Sequence, residues 1–391
     1  MLLHANIFNF RTCRDTLVGG LSGPLALIGR NGAGKTNVLH ALTWAAKGGV
    51  LENQPMSETN GHVSLYIQLL GKRYTYNVRR SLDAVGTKPS LHIEEQLHRH
   101  DAHGTTSIIN RLNDTLLVGE TGQMTVPSDV SAIRAMLAFF AGTPAQKEEV
   151  QAVSNFLDGI TYYPLMPTSS SPEPNFYWWR EFDAWKQAGK RTIATDTDLN
   201  FLMLDAWWNY RDKFDELQYL LGPDSLGIID SISVYQYTPS DVPNSGYLPV
   251  TGTVRDKAEE SLFSVFFTPR DSDVRVRFRQ LSMGTKRVIQ LLTHLIMDRI
   301  SLALIEQPED ALHPAMLRKI MGIIHAYSEE FQCIVTSHSP ELFNSVSPES
   351  IRLVAYEDHA TTLVPLSDDQ LQLAREYMED EGSLAEFLDL L

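Results

Sequence analysis

The sequence has few cysteines, no long apolar run and no excess of positive charge. Only two of its 391 residues are cysteines, Cys13 and Cys333, and neither belongs to a Cys-x-x-Cys pair, which argues against a disulfide framework and a zinc site. No stretch approaches the roughly 18 apolar residues of a membrane-spanning helix. We therefore expect a cytoplasmic protein without a membrane partner. A net charge of −15 argues against a protein that coats nucleic acid.

Hydrophobic patterning in the first third predicts strands around one helix. An apolar run over 25–28 followed by helical periodicity over 38–46 predicts strand, loop and helix. Alternating apolar residues from 63 to 118 then predict an antiparallel β subdomain.

The rest of the chain changes pattern twice. Residues 131–221 look helical, with a Ser/Pro-rich loop over 167–174 and one apolar helical stripe from Trp207 to Leu221. After a strand predicted over 274–278, helices and apolar runs alternate. That alternation is typical of a mostly parallel sheet.

A glycine-rich segment lies between the first predicted strand and helix. It matches the P-loop pattern, and its residues are Gly29, Arg30, Asn31, Gly32, Ala33, Gly34, Lys35 and Thr36. Glycines let backbone N–H groups close around phosphates, Lys35 reaches the β- and γ-phosphates, and Thr36 is a ligand for Mg²⁺. The segment therefore predicts a nucleoside triphosphate site.

Three further polar groups follow apolar runs or begin a helix in the last third. Glu306 ends the run 302–305, where a Walker B acid holds magnesium through water. Ser282 is a good N-cap for a helix whose first amides can receive an anion. Ser337 and His338 follow the run 333–336.

The order of these motifs resembles an ABC-type ATPase head of the branch shared by RecF, SMC proteins and the OLD-family (overcoming lysogenization defect) nucleases. Three segments resemble the OLD-like branch: Asn9-Phe10-Arg11, Leu281-Ser282-Met283-Gly284-Thr285-Lys286-Arg287 and Glu306-Gln307-Pro308-Glu309-Asp310-Ala311-Leu312-His313-Pro314. The resemblance covers residues 1–50 and 275–345. It implies an α/β fold with a mixed or parallel sheet, a P-loop, an antiparallel β subdomain and a helical insertion.

The resemblance also implies a division of the chain into four segments. We expect an ATPase lobe with the P-loop and β subdomain over 1–130 and a helical insertion over 131–225. A second ATPase lobe over 226–350 would carry the signature, the Walker B acid and the switch histidine. An acidic C-terminal segment would follow over 351–391.

Site roles follow from the same resemblance, with ATP and Mg²⁺ as cofactors. Ser282 and Gly284 of one subunit would cap the γ-phosphate held by Lys35 of another, so that ATP joins a homodimer or higher homo-oligomer. His338 would sense the γ-phosphate, and His313 would occupy the D-loop position that touches the opposite site. Arg11 would reach the phosphates, although an exposed strand arginine would look the same.

One residue departs from the family pattern. The residue after the Walker B acid is usually a glutamate, whereas Gln307 can orient a water but cannot accept its proton. We expect slow or conditional hydrolysis, with Glu309 as a substitute base. The candidate catalytic residues are thus Glu306, Gln307, Glu309 and His338.

Two charged segments allow more than one interpretation. Arg275, Arg277 and Arg279 would share one face of the strand predicted over 274–278. That face is either a solvated surface with salt bridges or a track for nucleic-acid phosphate or an acidic partner. The acidic residues after 368 are either a solvated helix face or a docking segment for a basic partner.

The leading hypothesis for function rests on family analogy. It is a cytoplasmic ATPase in DNA-related work, the ATPase subunit of a prokaryotic anti-phage defence system with a separate nuclease-type effector. The alternatives are an ATP-gated clamp with little turnover and a RecF-like DNA-repair ATPase; a transporter subunit is disfavoured by its different signatures. Only 53 residues follow His338, whereas a Toprim nuclease domain needs on the order of 100 residues, so we expect no nuclease activity from the chain itself.

Overall fold

Two separate stretches of the chain build the unit that carries the P-loop. The computed structural model describes residues 1–49, 60–83, 90–102, 104–118, 122–139, 143–164, 176–188, 195–238, 261–310, 312–379 and 382–389. Unit 1 consists of Met1–Pro164 and Ile300–Leu391, and unit 2 of Leu165–Arg299. The loop predicted over 167–174 lies outside the described residues, as do Asp380 and Glu381 of the acidic segment.

The described residues form strands and helices that we number in chain order. The strands are β1 Leu2–Phe10, β2 Cys13–Gly19, β3 Leu25–Ile28, β4 Gly61–Leu69, β5 Lys72–Asp83, β6 Ser90–Asp101, β7 Gly104–Leu112, β8 Thr115–Val118, β9 Gly122–Thr125, β10 Ile160–Pro164, β11 Tyr177–Trp178, β12 Ile229–Tyr237, β13 Leu262–Pro269, β14 Leu302–Glu306, β15 Gln332–Ser337, β16 Ile351–Glu357 and β17 Ala360–Pro365. The helices are α1 Lys35–Ala46, α2 Ala132–Ala138, α3 Pro144–Asp158, α4 Trp179–Gln187, α5 Asp196–Asn209, α6 Arg211–Leu221, α7 Met283–Met297, α8 Pro314–Ala326, α9 Pro340–Phe343, α10 Asp368–Glu379 and α11 Leu384–Asp389.

Unit 1 contains two sheets. The first has eight antiparallel strands in the order β2-β1-β4-β5-β6-β7-β8-β9. Its alternating pattern places one set of side chains, such as Val63, Leu65 and Ile67, in the core with no solvent exposure. The predicted antiparallel β subdomain is therefore confirmed, and it also includes the first two strands of the chain.

The second sheet of unit 1 carries the P-loop and Glu306, the predicted Walker B acid. Its order is β10-β14-β15-β3-β16-β17, and every neighbouring pair is parallel except β16 and β17. Strand β3 and residues 302–305 of β14 are apolar and fully buried or nearly so, as expected for a parallel sheet. Helix α1 contacts β1 and β4 of the first sheet and β10 of the second, which places Trp44 in the common core.

Unit 2 is the insertion between β10 and β14. It consists of a three-stranded antiparallel sheet, β11-β13-β12, and the helices α4 to α7. Its core includes the fully buried Phe263, whose ring centroid lies 5.5 Å from that of Trp179 and 6.2 Å from that of Trp208. The predicted α/β fold with a helical insertion is confirmed.

None of the helices in the described ranges combines the length and apolar character that a membrane crossing requires.

The units do not coincide with the four segments expected from the sequence. Residues 132–164, which form α2, α3 and β10, belong to unit 1 because β10 pairs in parallel with β14. The signature helix α7 belongs to unit 2, whereas the Walker B acid and His338 belong to unit 1. The expected C-terminal segment begins within the central sheet of unit 1, because β16 pairs with β3.

Two predicted elements differ in detail. The apolar stripe from Trp207 to Leu221 is divided between α5 and α6, because the chain leaves helical geometry at Tyr210. The strand predicted over 274–278 is not formed: only Val276 pairs, with Phe267, and a short 3-10 helix begins at Phe278. The predicted row of three arginines on one strand face is therefore wrong.

Two of the three arginines, Arg275 and Arg277, stack on aromatic rings instead. The Arg275 guanidinium lies 5.4 Å from the Tyr235 ring centroid, and that of Arg277 lies 5.3 Å from the Phe266 centroid. These contacts are cation–π interactions within unit 2.

A buried carboxylate joins the first sheet to α2. Glu95 is fully buried and accepts hydrogen bonds from the Tyr76 hydroxyl at 2.7 Å and from the Ala132 backbone N–H at 2.7 Å. The Arg111 guanidinium, also fully buried, lies 3.8 Å from the same carboxylate. Glu95 thus caps the N-terminus of α2, where a negative charge is favourable.

Candidate functional site

The P-loop connects β3 to α1 in a conformation that depends on its glycines. Gly32 and Gly34 have φ values of +83° and +100°, a region that side chains with a Cβ rarely adopt. A Cβ at Gly34 would also overlap the Thr361 hydroxyl oxygen, and a Cβ at Gly29 would overlap the Val354 carbonyl oxygen. Because α1 begins at Lys35 without a side-chain cap, its first amides are available to an anion.

Lys35 lies within the loop that it would serve. Its ammonium group donates hydrogen bonds to the carbonyl oxygens of Gly29 at 2.5 Å and Arg30 at 3.1 Å, and the residue is only 5% exposed. Burial lowers the pKa of Lys35, while the nearby carboxylates of Glu309 and Glu306 oppose that shift. Arg30, Asn31 and Gly32 are exposed and Ala33 is buried.

Strand β14 ends at Glu306, whose carboxylate contacts Thr36. The Thr36 hydroxyl donates a hydrogen bond to Oε1 of Glu306, and the Tyr162 hydroxyl donates one to Oε2. A threonine hydroxyl and one carboxylate are hard oxygen donors of the kind that Mg²⁺ uses together with phosphate and water. The residues therefore fit Mg²⁺, and among the described residues no cluster of three or more His, Cys, Asp or Glu side chains offers another metal site.

Three polar residues meet beside the end of β15. Nδ1 of His338 lies 3.3 Å from Nε2 of Gln307 and 3.3 Å from Oε1 of Glu309. Oε1 of Glu309 also accepts hydrogen bonds from the Ser337 hydroxyl at 2.7 Å and the His338 N–H at 2.9 Å. Through these bonds Glu309, whose side chain is only 9% exposed, holds the segment that carries His338.

Gln307 has an unusual backbone conformation. Its φ is +42°, and its N–H is bonded to the Thr336 carbonyl at 3.0 Å and to the Thr336 hydroxyl at 3.2 Å. Such a conformation persists only where the surroundings fix it, and it is common at functional sites. The chain turns sharply after Glu306, which directs Gln307 toward His338.

Arg11 lies in the turn between β1 and β2, not within a strand. Its guanidinium donates hydrogen bonds to Oδ1 of Asn37 at 3.3 Å and to Nδ1 of His40 at 2.6 Å, both on α1. Asn37 in turn donates to the Thr12 hydroxyl at 2.7 Å, and that hydroxyl lies 2.7 Å from the hydroxyl of Thr361. The turn is thereby linked to the P-loop, because Thr361 donates to the Ala33 carbonyl at 3.0 Å.

The remaining predicted residues begin helices. Ser282 is the N-cap of α7 in unit 2, and its hydroxyl oxygen accepts a hydrogen bond from the Thr285 N–H at 3.2 Å, as predicted. Ser282 is exposed, and Gly284 lies in the first turn of the same helix. His313 is exposed in unit 1 and caps α8, since its Nδ1 accepts from the Ala315 N–H at 3.3 Å.

Sequence reasoning missed two residues of the site. Tyr162 lies in a strand within the stretch that was predicted to be helical. His40 lies on α1, where nothing in the sequence distinguishes it from an ordinary helical residue. The run from Ile160 to Tyr163, bounded by Gly159 and Pro164, is rich in β-formers and could have revealed the strand. Burial and the hydrogen bond to Glu306 raise the pKa of Tyr162, so its phenol stays protonated and donates.

Comparison with known families agrees with this geometry. A family model described as AAA domain matches residues 6–220, which is more than half of the chain. The chain belongs to this AAA-domain family. A second AAA-domain model, described as putative AbiEii toxin, Type IV TA system, matches residues 184–344. No curated protein sequence matches the chain.

Solved structures similar to this AAA-domain protein include three SMC heads. The SMC head bound to the C-winged helix domain of ScpA is 14% identical, with a TM-score of 0.51 over 95% of this chain and 99% of that one. The head from Thermotoga maritima is 13% identical, with a TM-score of 0.40 over 94% and 99%. The head with an extended coiled coil, bound to the C-terminal domain of ScpA from Pyrococcus furiosus, is 12% identical, with a TM-score of 0.47 over 97% and 98%. The first of these supports an ABC-type ATPase head fold.

Proposed function

We propose that this chain binds ATP with Mg²⁺ and hydrolyses it as a nucleotide-gated switch that joins copies of itself. The observation that carries the proposal is the contact between Thr36 of the P-loop and Glu306 at the end of β14. Glu306 ends the parallel strand β14, and Thr36 lies in the first turn of α1, after the loop that follows β3. The carboxyl ends of parallel strands are where open α/β sheets bind ligands. Lys35 adds the positive charge that the β- and γ-phosphates require.

The roles of the individual residues follow from their placement. Thr36 and Glu306 would hold Mg²⁺, which neutralises phosphate charge during hydrolysis. Gln307 would orient the attacking water, and His338 would sense the γ-phosphate. Glu309 supports this arrangement in a way that the sequence did not suggest, because it anchors Ser337 and the His338 backbone.

The proposed association between subunits rests on the signature segment. Ser282 and Gly284 begin a 15-residue helix, α7, whose N-terminus is exposed and favours an anion. In the proposed switch, this helix terminus caps the γ-phosphate bound to another subunit's P-loop. Hydrolysis would remove that phosphate and release the pair.

The biological setting that we propose is DNA-related work in anti-phage defence, with a separate nuclease-type effector. Its support is the resemblance to the OLD-like branch and the family description that names a toxin of a Type IV toxin–antitoxin system. The SMC head neighbour is bound to a winged-helix domain of another protein, and such heads are a precedent for an ATPase that works through a partner.

The nucleotide site is tested by ATP binding to the wild type and to Lys35→Ala. We expect the ATP affinity of Lys35→Ala to fall by about ten- to a hundredfold, because Lys35 supplies the only buried point charge that the loop offers to the phosphates. Lys47→Ala is the matched control, since that lysine is exposed at the C-terminal end of α1, away from the P-loop. Micromolar ATP affinity retained in Lys35→Ala would refute the site.

A second candidate function is an ATP-gated clamp with little turnover. The specific observation is Gln307, whose amide faces His338 where an ATPase of this type usually has a carboxylate. Single-turnover hydrolysis separates the two: a wild-type dimer that forms with ATP but does not cleave it over hours would favour the clamp.

A further inference from the structure

The Walker B carboxylate is held on both of its oxygens, and only one of the two partners belongs to the P-loop. Oε1 accepts from Thr36, whereas Oε2 accepts from the hydroxyl of Tyr162 on the neighbouring strand β10. In the register of these parallel strands, Pro164 lies opposite Glu306. Tyr162 is two residues earlier, so its side chain is on the same face of the sheet as Glu306.

Tyr162 is itself positioned by α1. The His40 ring meets the Tyr162 ring edge to face, with centroids 5.0 Å apart and planes at 85°. The Arg11 guanidinium donates to Nδ1 of His40 at 2.6 Å, which fixes the neutral tautomer with its proton on Nε2. Burial, together with Arg11, lowers the pKa of His40 and keeps the ring in that neutral form.

These contacts form a continuous path from the turn between β1 and β2 to the Walker B carboxylate. Arg11 holds His40, His40 restrains the ring of Tyr162, and Tyr162 bonds Glu306. A carboxylate with one free oxygen could rotate away from Thr36. With its second oxygen engaged, Glu306 keeps the orientation that presents Oε1 to the Thr36 hydroxyl.

We propose that Tyr162 is a positioning residue for the Glu306 carboxylate. His40 and Arg11 restrain Tyr162, so that Glu306 and Thr36 already have their Mg²⁺-binding orientation before Mg²⁺ binds. The proposal rests on the proposed nucleotide function. It adds a role for residues outside the P-loop and Walker B segments. Groups that orient a metal-binding side chain typically change metal affinity or activity about 10- to 100-fold when they are removed.

The test compares Tyr162→Phe with Tyr163→Phe by titrating Mg²⁺ against binding of a fluorescent ATP analogue. Tyr162→Phe keeps the ring and removes the hydroxyl that bonds Glu306. Tyr163→Phe removes the same group from the adjacent residue, which strand alternation places on the other face of β10. Affinity for the analogue in EDTA is measured first, because it reports an intact fold and P-loop without the metal.

We expect all three proteins to bind the analogue equally in EDTA. The Mg²⁺ concentration at half-saturation should rise about tenfold or more in Tyr162→Phe and stay at the wild-type value in Tyr163→Phe.

A second variant tests the restraint by α1. His40→Ala should raise the Mg²⁺ requirement by a smaller factor than Tyr162→Phe does. The double variant should be no worse than Tyr162→Phe alone, since both residues act through one carboxylate. Additive effects of the two changes would overturn the proposed path.

The outcomes separate this proposal from the proposed function. In one outcome, wild-type binding of the analogue increases with Mg²⁺ but the half-saturating Mg²⁺ concentration is unchanged in Tyr162→Phe. That result would overturn only the role of Tyr162. An equal shift in Tyr163→Phe would overturn it as well. A wild type that binds no nucleotide would overturn the proposed function, and this proposal with it.

Discussion

Replacing Gln307 by glutamate tests which group activates the attacking water. The two side chains have the same shape, so the backbone at 307, with its φ of +42°, should be unaffected. The change removes one long hydrogen bond, from Nε2 of Gln307 to Nδ1 of His338 at 3.3 Å. A neutral hydrogen bond contributes about 0.5–1.5 kcal/mol, and a long, partly exposed one lies at the low end of that range.

The gain should be larger than that loss. A correctly placed general base accelerates a reaction by roughly 10²- to 10⁴-fold, which corresponds to about 2.7–5.4 kcal/mol of barrier. We therefore expect Gln307→Glu to hydrolyse ATP at least about a hundredfold faster in single-turnover experiments. ATP affinity, measured in parallel, should be unchanged.

Glu309→Gln is the matched control for that experiment. Oε1 of Glu309 accepts from Ser337 and from the His338 backbone, and a glutamine at this position keeps one oxygen for those bonds. The sequence suggested Glu309 as a substitute base, but these bonds give it a positioning role, and we therefore expect Glu309→Gln to retain the wild-type rate. No acceleration in Gln307→Glu, combined with loss of turnover in Glu309→Gln, would refute the reasoning and assign the base to Glu309.

Three further changes test other parts of the structure. Ser282→Arg should leave ATP binding by the monomer intact and abolish ATP-dependent association in light scattering; a dimer that persists would exclude a shared site. Gly34→Ala should weaken ATP binding in calorimetry more than Gly32→Ala does. Positive φ costs either variant about 1–2 kcal/mol, but only a Cβ at 34 overlaps Thr361. Equal losses of ATP affinity would contradict the overlap. Glu95→Ala should lower the free energy of unfolding in urea by roughly 3–5 kcal/mol, since it leaves a buried charge unpaired, and an unchanged midpoint would contradict that role.

The motif segments could be predicted from sequence because their signals are local. The apolar run before the P-loop, the N-cap at Ser282 and the acid after β14 each depend on a few adjacent residues, and the structure has the expected strand or helix at each. The sheet class followed from the alternation of strands and helices in the last third of the chain.

Elements that depend on distant partners could not be predicted in this way. Tyr162 lies in a short strand within a largely helical stretch, and only its pairing with β14 makes it extended. The segment around Arg275 alternates charged and apolar residues as a strand does. The Arg275 guanidinium instead contacts the Tyr235 ring, and only Val276 pairs with a strand residue, Phe267. The bounds of the two units differ from the expected segments for the same reason, because β10 and β16 pair with strands far away in the sequence.

The pairings of the central sheet have a consequence for the order in which the molecule forms. Leu25 of β3 pairs with Ile334 of β15, and Ile160 of β10 pairs with Leu302 of β14. Parallel pairings between such distant segments close long loops and form slowly. Thr36 and Glu306 are 270 residues apart in the sequence, so their contact forms only after these pairings have brought β3 and β14 into one sheet. A nucleotide that binds only molecules with this sheet formed would raise their free energy of unfolding by RT ln(1 + [ATP]/Kd), so the sheet should be more stable in the presence of ATP.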